Sequence, residues 1–428
     1  MRRKVIFLVV IFISWNVFIT DAQTSLRTDT AKLTLQNAEK LFLTQNLLLL
    51  AEKYNVDATR ALIIQAKLYP NPSFSYTNSV YNTSNNNKIF DQSSNSDPAP
   101  QITQLILLAG KIKKQVKIAE TNYKIAEDNL YDLLRTLKLT LRSSFFNIYY
   151  LQQTAKVYDE EINSLKMIVA AYNKMLGKGY LSEADVIRVQ AQLYSLQSEY
   201  QTLIDNVNDM QSQLRLLLQS SPDTYLQPLV DNKILNADPL AYSIKSLLDS
   251  AYVNRTDFMI ARDKLLLSHQ NLTLQKAVAV PDITLGPGFV NQSNFIRRDF
   301  VYVVEFSLPL FNRNQGNIKN ARILIDYNNT QLEVTKKNLE EQVYRGLQKA
   351  VDADKLYKEI DPAFAGNFNK LAKEMMDHYM KRNVSLLDFL TFYDSYKQNI
   401  VQLNTISFNK INALENINFL TGTGFFNK

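Results

Sequence analysis

The chain has 428 residues, and only ten glycines and eleven prolines punctuate it, so long unbroken elements are expected. It has no cysteine and two histidines, His269 and His378, which excludes disulfides, thiol catalysis, thiolate metal sites and a histidine-based metal centre within one chain. The formal charge of +7 is scattered among glutamates and aspartates along helices, which describes a solvated surface and not a nucleic-acid footprint.

The first residues read as a secretory leader, residues 1–22. Arg2, Arg3 and Lys4 precede a mostly apolar stretch from Val5 to Ile19, and Thr20-Asp21-Ala22 gives a small-x-small cleavage pattern. The apolar stretch is short for a membrane helix, which needs about 20 residues. Later segments are no longer, so a mature chain that crosses a membrane must do so with strands. Removing the leader takes Trp15 and leaves a charge of about +5.

A first repeat spans residues 23–221. Apolar residues at helical spacing (Leu35, Ala38, Leu41, Phe42, then Leu48, Ala51, Tyr54, Ala58, Leu62) predict a helix over 33–69. Tyr69-Pro70-Asn71-Pro72 ends it. A strand over 72–81 follows, with Phe74, Tyr76 and Val80 on one face and Ser73, Ser75, Thr77 and Ser79 on the other. A loop rich in Asn, Ser and Asp leads to a second strand, 101–108. A proline-free helix over 110–177 would be about 100 Å long, beyond the usual globular range. Gly177-Lys178-Gly179 breaks it, Ser182 caps the next helix, 182–219, and Asp185 lies three residues on. Val186, Val189, Leu193, Leu196, Tyr200, Leu203, Val207, Met210, Leu214 and Leu217 then run at alternating spacings of three and four, a heptad seam that packs against other helices.

After a polar connector, 222–238, the same order returns in a second repeat, 239–428. It predicts a helix (240–279), two strands (282–291 and 300–309), a long helix (313–382) interrupted at Asp361-Pro362, and a last helix (385–420). Ile283, Leu285 and Phe289 share one strand face, and Tyr302, Val304 and Phe306 another. A duplicated helix–strand–strand–helix–helix unit makes the fold mainly α with a small β part.

Strand pairs with an aromatic face and a small polar face match the pattern of transmembrane barrels. Four strands are too few to close, and lipid does not tolerate open edges, so several chains must share one barrel. The expected lipid-facing set is Phe74, Tyr76, Val80, Ile283, Leu285, Phe289, Tyr302, Val304 and Phe306. With long helices continuing from the barrel, the object is a conduit that needs no catalytic residue and no cofactor. The competing reading is a periplasmic coiled-coil scaffold without a pore.

The chain resembles the TolC-like outer-membrane efflux family over nearly all of its mature length. The marks are Asn71-Pro72-Ser73 at the first strand, the segment Leu308-Pro309-Leu310-Phe311-Asn312-Arg313-Asn314-Gln315-Gly316, and two helix–helix tips, residues 177–186 and 383–390. The segment 308–316 is similar to the heavy-metal-efflux branch. The resemblance implies a homotrimer with a barrel of about twelve strands, a coiled-coil tunnel across the periplasm, and partners in a periplasmic adaptor and an inner-membrane pump of the resistance–nodulation–division class. It implies an outer-membrane location, held by the barrel alone because this chain has no cysteine to acylate. It does not exclude type I secretion. No enzymatic activity and no nucleic-acid partner is implied.

The resemblance also places candidate entrance-gate residues. Asp185 and Asp388 match the family's tip aspartate. Three copies of Asp388 around a pore would disfavour joint ionisation and could bind cations; the other reading is a helix cap favoured by the dipole. Tyr379 matches an aromatic that locks the closed tip. Thr391 stands where a second acidic residue is common, with Asp394 one turn further on, and Val384 replaces an arginine.

Overall fold

The computed structural model describes residues 29–78, 81–82, 88–89, 98–290, 299–361, 363–381 and 383–426. The leader expected over 1–22, the outward position of Val80 and Pro362 lie outside the described residues.

The first half begins with a strand the sequence did not suggest. β1 (Asp29–Thr34) pairs in parallel with β6 (Thr224–Leu229), in the stretch expected to be a polar connector. The expected single helix over 33–69 is two helices, α1 (Leu35–Gln45) and α2 (Leu47–Lys67). The break is one buried residue, Asn46, whose Oδ1 accepts from the amides of Leu48 and Leu49 while its Nδ2 donates to the Leu217 carbonyl at 2.9 Å. The break also resets the helix face. Ala38 and Phe42 are buried in α1, but in α2 the buried residues are Leu49 and Val56, while Leu48, Tyr54 and Leu62 are exposed.

After β2 (Ser73–Thr77), the short pair β3 (Tyr81–Asn82) and β4 (Lys88–Ile89), and β5 (Ala99–Ile106), α3 runs unbroken from Lys111 to Leu176, 66 residues. Its entry is set by two left-handed residues, Ala109 and Gly110. α4 (Glu183–Leu218) returns beside it. All ten seam positions of α4 are buried or half-buried, Val189, Leu196 and Leu214 completely.

The second half follows the same order with variations. A 3-10 turn at Asn232–Asn236 lies in the expected connector, and the helix expected over 240–279 is a 3-10 turn at Pro239–Ala241 followed by α5 (Ile244–Asn254) and α6 (Thr256–Val278), broken at buried Arg255, whose guanidinium pairs with Asp257. β7 (Ile283–Val290) and β8 (Asp299–Phe306) lead through left-handed Asn314 into α7 (Gln315–Lys358). α8 (Phe364–Met380) and α9 (Leu386–Thr421) complete it.

The two hairpins are not isolated. They form one antiparallel sheet in the order β2-β5-β7-β8, leaving β2 and β8 as open edges. The seam at β5–β7 depends on Gly286, because a Cβ there would lie 1.9 Å from the Ile102 carbonyl oxygen. Where sheet meets helices, the buried Lys111 ammonium sits 2.6 Å from Asp282 and donates to the Val280 carbonyl, tying the start of α3 to the end of α6. Midway along the molecule Arg142 of α3 pairs with Glu39 of α1 at 2.6 Å and Glu415 of α9 at 2.7 Å. Each half also meets its own ends. β1 and β6 join the first, while Tyr242 lies edge-on to Phe425 and Phe426 at the termini of the second.

Candidate functional site

The residues expected to carry function fall in two places: the sheet at one end and the helix tips at the other. On the sheet, strand register decides which side chains share a face. Phe74 faces Ile102, Leu285 faces Val304, Ile283 faces Phe306 and Phe289 faces Phe300 across neighbouring strands. One continuous face therefore carries eight of the nine residues expected to face outward. Phe74, Tyr76, Tyr302, Val304 and Phe306 are more than half exposed. Phe300, 87% exposed, belongs to this face and was not in the expected set. The opposite face carries Ser73, Ser75, Thr77, Thr103, Thr284, Gly286 and Glu305, with Leu105, Val301 and Val303 among them.

At the other end, α3 turns into α4 through Gly177 and left-handed Gly179, and α8 turns into α9 at residues 381–385. The two turns are built alike. In each, a serine hydroxyl accepts from the aspartate amide at 3.2 Å and donates to that aspartate's Oδ2 at 2.7 Å: Ser182 with Asp185, Ser385 with Asp388. Both aspartates thus sit in the first turn of a helix, where the dipole favours a negative charge. Asp185 has Arg188 at 3.9 Å as well, and Asp388 is exposed.

The other candidates fall into different environments. Tyr379 is buried, stacks on Phe389 with ring centroids 4.3 Å apart, and shares a hydrogen bond between its hydroxyl and that of Tyr172 on α3. Burial first, and that bond second, push its pKa above the ordinary tyrosine range. Phe389 in turn lies 4.5 Å from Tyr393. Together with Ile162, Leu165 and Ile168 of α3 and Val189, Leu193 and Leu196 of α4, these rings form one apolar cluster that clamps the two tips of a chain. Thr391 is exposed on α9. Asp394 is engaged by Lys397 at 3.1 Å and by Gln398 at 2.8 Å. The five candidates therefore form no single acidic ring within a chain. Two cap helices, one belongs to the aromatic clamp, one is free on the surface and one neutralises a lysine.

Sequence reasoning missed Tyr172, Phe389 and a charged group below them. Lys397 is buried against Glu199 of α4 at 2.8 Å, and Glu161 of α3 is buried beside it. The readable sign was in α3, where Tyr158, Glu161, Leu165 and Ile168 run at spacings of three and four and so put a carboxylate into an apolar seam. Among the described residues no three acidic or histidine side chains gather as a metal site, and no helix is long and apolar enough to cross a membrane.

Residues 40–219 match the model of the outer membrane efflux protein family. Over that segment the chain is similar to this family. The likeness of fold is wider: the chain superposes on the Campylobacter jejuni CmeC outer membrane channel with a TM-score of 0.75 at 15% identity, covering 91% of this chain and 86% of that one. The Neisseria gonorrhoeae MtrE outer membrane channel, solved in an open state, gives a TM-score of 0.67 at 16% identity over 91% and 89%. The chain is also 23% identical over 290 residues to the cobalt-zinc-cadmium resistance protein CzcC of Cupriavidus metallidurans, a match spanning 68% of this chain and 66% of the relative.

Proposed function

We propose that this efflux protein is the outer-membrane exit duct of a tripartite system, passive in itself, working as a homotrimer. The observation that carries the reading is the sheet: four antiparallel strands with open edges at β2 and β8, an exposed aromatic face, and a 66-residue helix continuing from one strand. Three copies joined edge to edge give about twelve strands, enough to close and leave no unpaired backbone in lipid. Phe74, Tyr76, Ile283, Leu285, Phe289, Phe300, Tyr302, Val304 and Phe306 then face lipid, and the serine- and threonine-rich face lines a wet lumen. The exposed stripe on α2 (Leu47, Leu48, Leu50, Tyr54, Leu62, Ile64) supports assembly, because a contiguous apolar strip of this kind marks a contact surface.

An adaptor and an inner-membrane pump of the resistance–nodulation–division class would feed the helical end, where Asp388, Asp185 and Tyr379 stand at or behind the entrance, with Thr391 and Asp394 further up α9. Similarity to CzcC favours metal cations as cargo. The relevant chemistry is passage: the capped aspartates offer exposed charge, and among the described residues of one chain no three acidic or histidine side chains gather as a metal site.

Because the chain has no cysteine, edge pairing is directly testable. Ser75→Cys on β2 combined in turn with Val301→Cys, Val303→Cys or Glu305→Cys on β8 should, for one pairing, oxidise to a covalent trimer on denaturing gels. Cα atoms of paired neighbours lie within the roughly 4.4–6.8 Å that a disulfide requires. Only monomer in all three pairs, or recovery of the protein in the soluble periplasmic fraction, would reject the shared barrel.

A further inference from the structure

Charged groups from three helices meet where α9 packs on α3 and α4. Lys397 of α9 is 4% exposed, and its ammonium bonds Glu199 of α4 at 2.8 Å and Asp394 of α9 at 3.1 Å, 5.7 Å from the ring of Tyr158 of α3. Glu199 and Asp394 are each about two-fifths exposed and solvated on their outer side. Glu161 of α3 is 2% exposed, and its Oε2 has no hydrogen-bond partner among the described residues. One buried ammonium thus faces three carboxylates. Two of them engage it directly, and the third is left in the interior without a bond.

A buried, unbonded carboxylate is costly when charged. The cheapest state for Glu161 in the packed arrangement is neutral, which needs a proton and a route for it. The route is present. Glu160 and Glu161 line a cavity of about 790 Å³ between α3, α8 and α9, together with Lys156, Lys373, Met376 and Tyr396. The groups around Glu161 come from every packed element: Tyr158 and Glu160 of its own helix, Glu199 of α4, and Tyr393, Asp394, Tyr396 and Lys397 of α9, with Lys373 of α8 across the cavity. Burial is the leading influence on Glu161 and raises it to about 7; Lys397 opposes this, while Asp394 and Glu199 add to it.

We propose that Glu161 is a proton-operated latch between α9 and the α3–α4 pair. With its proton it is a neutral side chain in an apolar seam, and α9 seats fully. Without it, a third negative charge lies beside Lys397 and competes with Glu199 and Asp394 for the one ammonium, so the contact loosens. The direction follows from linkage. The packed state holds the proton more tightly than the opened state, where a glutamate titrates near its ordinary 4.5. The stabilisation from protonation is therefore complete below about pH 4.5 and is lost as pH rises through about 7. The latch sits in the same apolar cluster as the aromatic clamp, so loosening it is transmitted to Phe389 and Tyr393. It does not depend on the cargo or on the pump, and it acts within one chain.

The experiment is hydrogen–deuterium exchange on the full-length protein in lipid nanodiscs, corrected for the intrinsic pH dependence of exchange. Peptides covering 158–170, 193–203 and 389–401 should lose protection by about tenfold or more between pH 5.5 and 8.5, with a midpoint near 7, since each unit of pKa difference corresponds to about a tenfold change in the equilibrium. Glu161→Gln copies the shape of the protonated acid and should be protected at every pH. His378→Asn should keep the transition, which separates Glu161 from the one histidine near the tip. A carboxylic-acid infrared band present at pH 5.5 and absent in Glu161→Gln reports the proton directly. A flat wild-type profile, or a transition that survives Glu161→Gln, overturns the proposal, and neither result bears on whether the chain forms a trimeric duct.

Discussion

Removing the ring of Phe389 tests whether the tips are held by aromatic packing. The side chain is completely buried between Tyr379 at 4.3 Å and Tyr393 at 4.5 Å, and it joins α8 and α9 to the apolar residues of α3 and α4. A buried phenylalanine cut to alanine costs about 3–5 kcal/mol, because transfer energy and an unfilled cavity add. At about 1.4 kcal/mol per factor of ten, local opening of the tip should become more frequent by roughly two to three orders of magnitude. The sheet, the Lys111–Asp282 junction and the Arg142 ion pairs lie outside this cluster, so the loss should stay local. Hydrogen exchange on Phe389→Ala should therefore show lost protection over 160–200 and 372–396 and unchanged protection in α2, α6 and the strands. In planar bilayers the same variant should leak ions more than the parent. Wild-type protection at the tip, or a loss spread evenly along the molecule, would refute the view that this ring stack is what holds the two hairpins together.

Two further outcomes follow from the same geometry. Ser385→Ala removes the hydroxyl that bonds both the amide and the carboxylate of Asp388, and should destabilise the first turn of α9 by about 1 kcal/mol. If Asp388 also faces the entrance, Asp388→Ala changes cation conductance beyond what Ser385→Ala does; equal effects reduce Asp388 to a cap. Gly286→Ala places a methyl group 1.9 Å from a backbone oxygen of β5 and should abolish assembly, whereas Gly288→Ala meets side-chain atoms alone, none nearer than a Val301 methyl at 3.2 Å, and should retain it. The readout is the fraction of trimer by native mass spectrometry.

The elements most readable in the sequence were those whose pattern a single period dictates. The ten seam residues of α4 and the alternation of Phe74, Tyr76, Tyr302, Val304 and Phe306 each repeat at one fixed interval, and each lands on one face. Features set by a single residue or by distant pairing were hidden. Asn46 breaks a helix without glycine or proline, through a side chain that satisfies two amides and reaches a carbonyl 171 positions away. β1 and β6 are six residues each, β1 has only two apolar residues, Ala31 and Leu33, and β6 contains Pro228, so the signal is too short to mark them as partners 195 positions apart. At the tip, the serine and aspartate spacing showed the caps. The buried Lys397 and Glu161 were not apparent, because a charged residue in a helical seam looks like a surface residue until the facing helices are known.

The meeting of each half's own ends has a consequence for assembly and ancestry. Residues 29–34 pair with residues 224–229 across the whole of α3 and α4, so this contact closes a long loop and is among the slower ones for the first half to make. The second half is fastened in the same manner by Tyr242 against Phe425 and Phe426. A unit whose start and finish lie side by side can be copied in tandem without dragging its neighbour apart, and it can be cut and rejoined elsewhere for the same reason. A circular permutant opened between residues 229 and 239 keeps both fastenings, because neither the β1–β6 pair nor the contacts of Tyr242 with Phe425 and Phe426 span the cut.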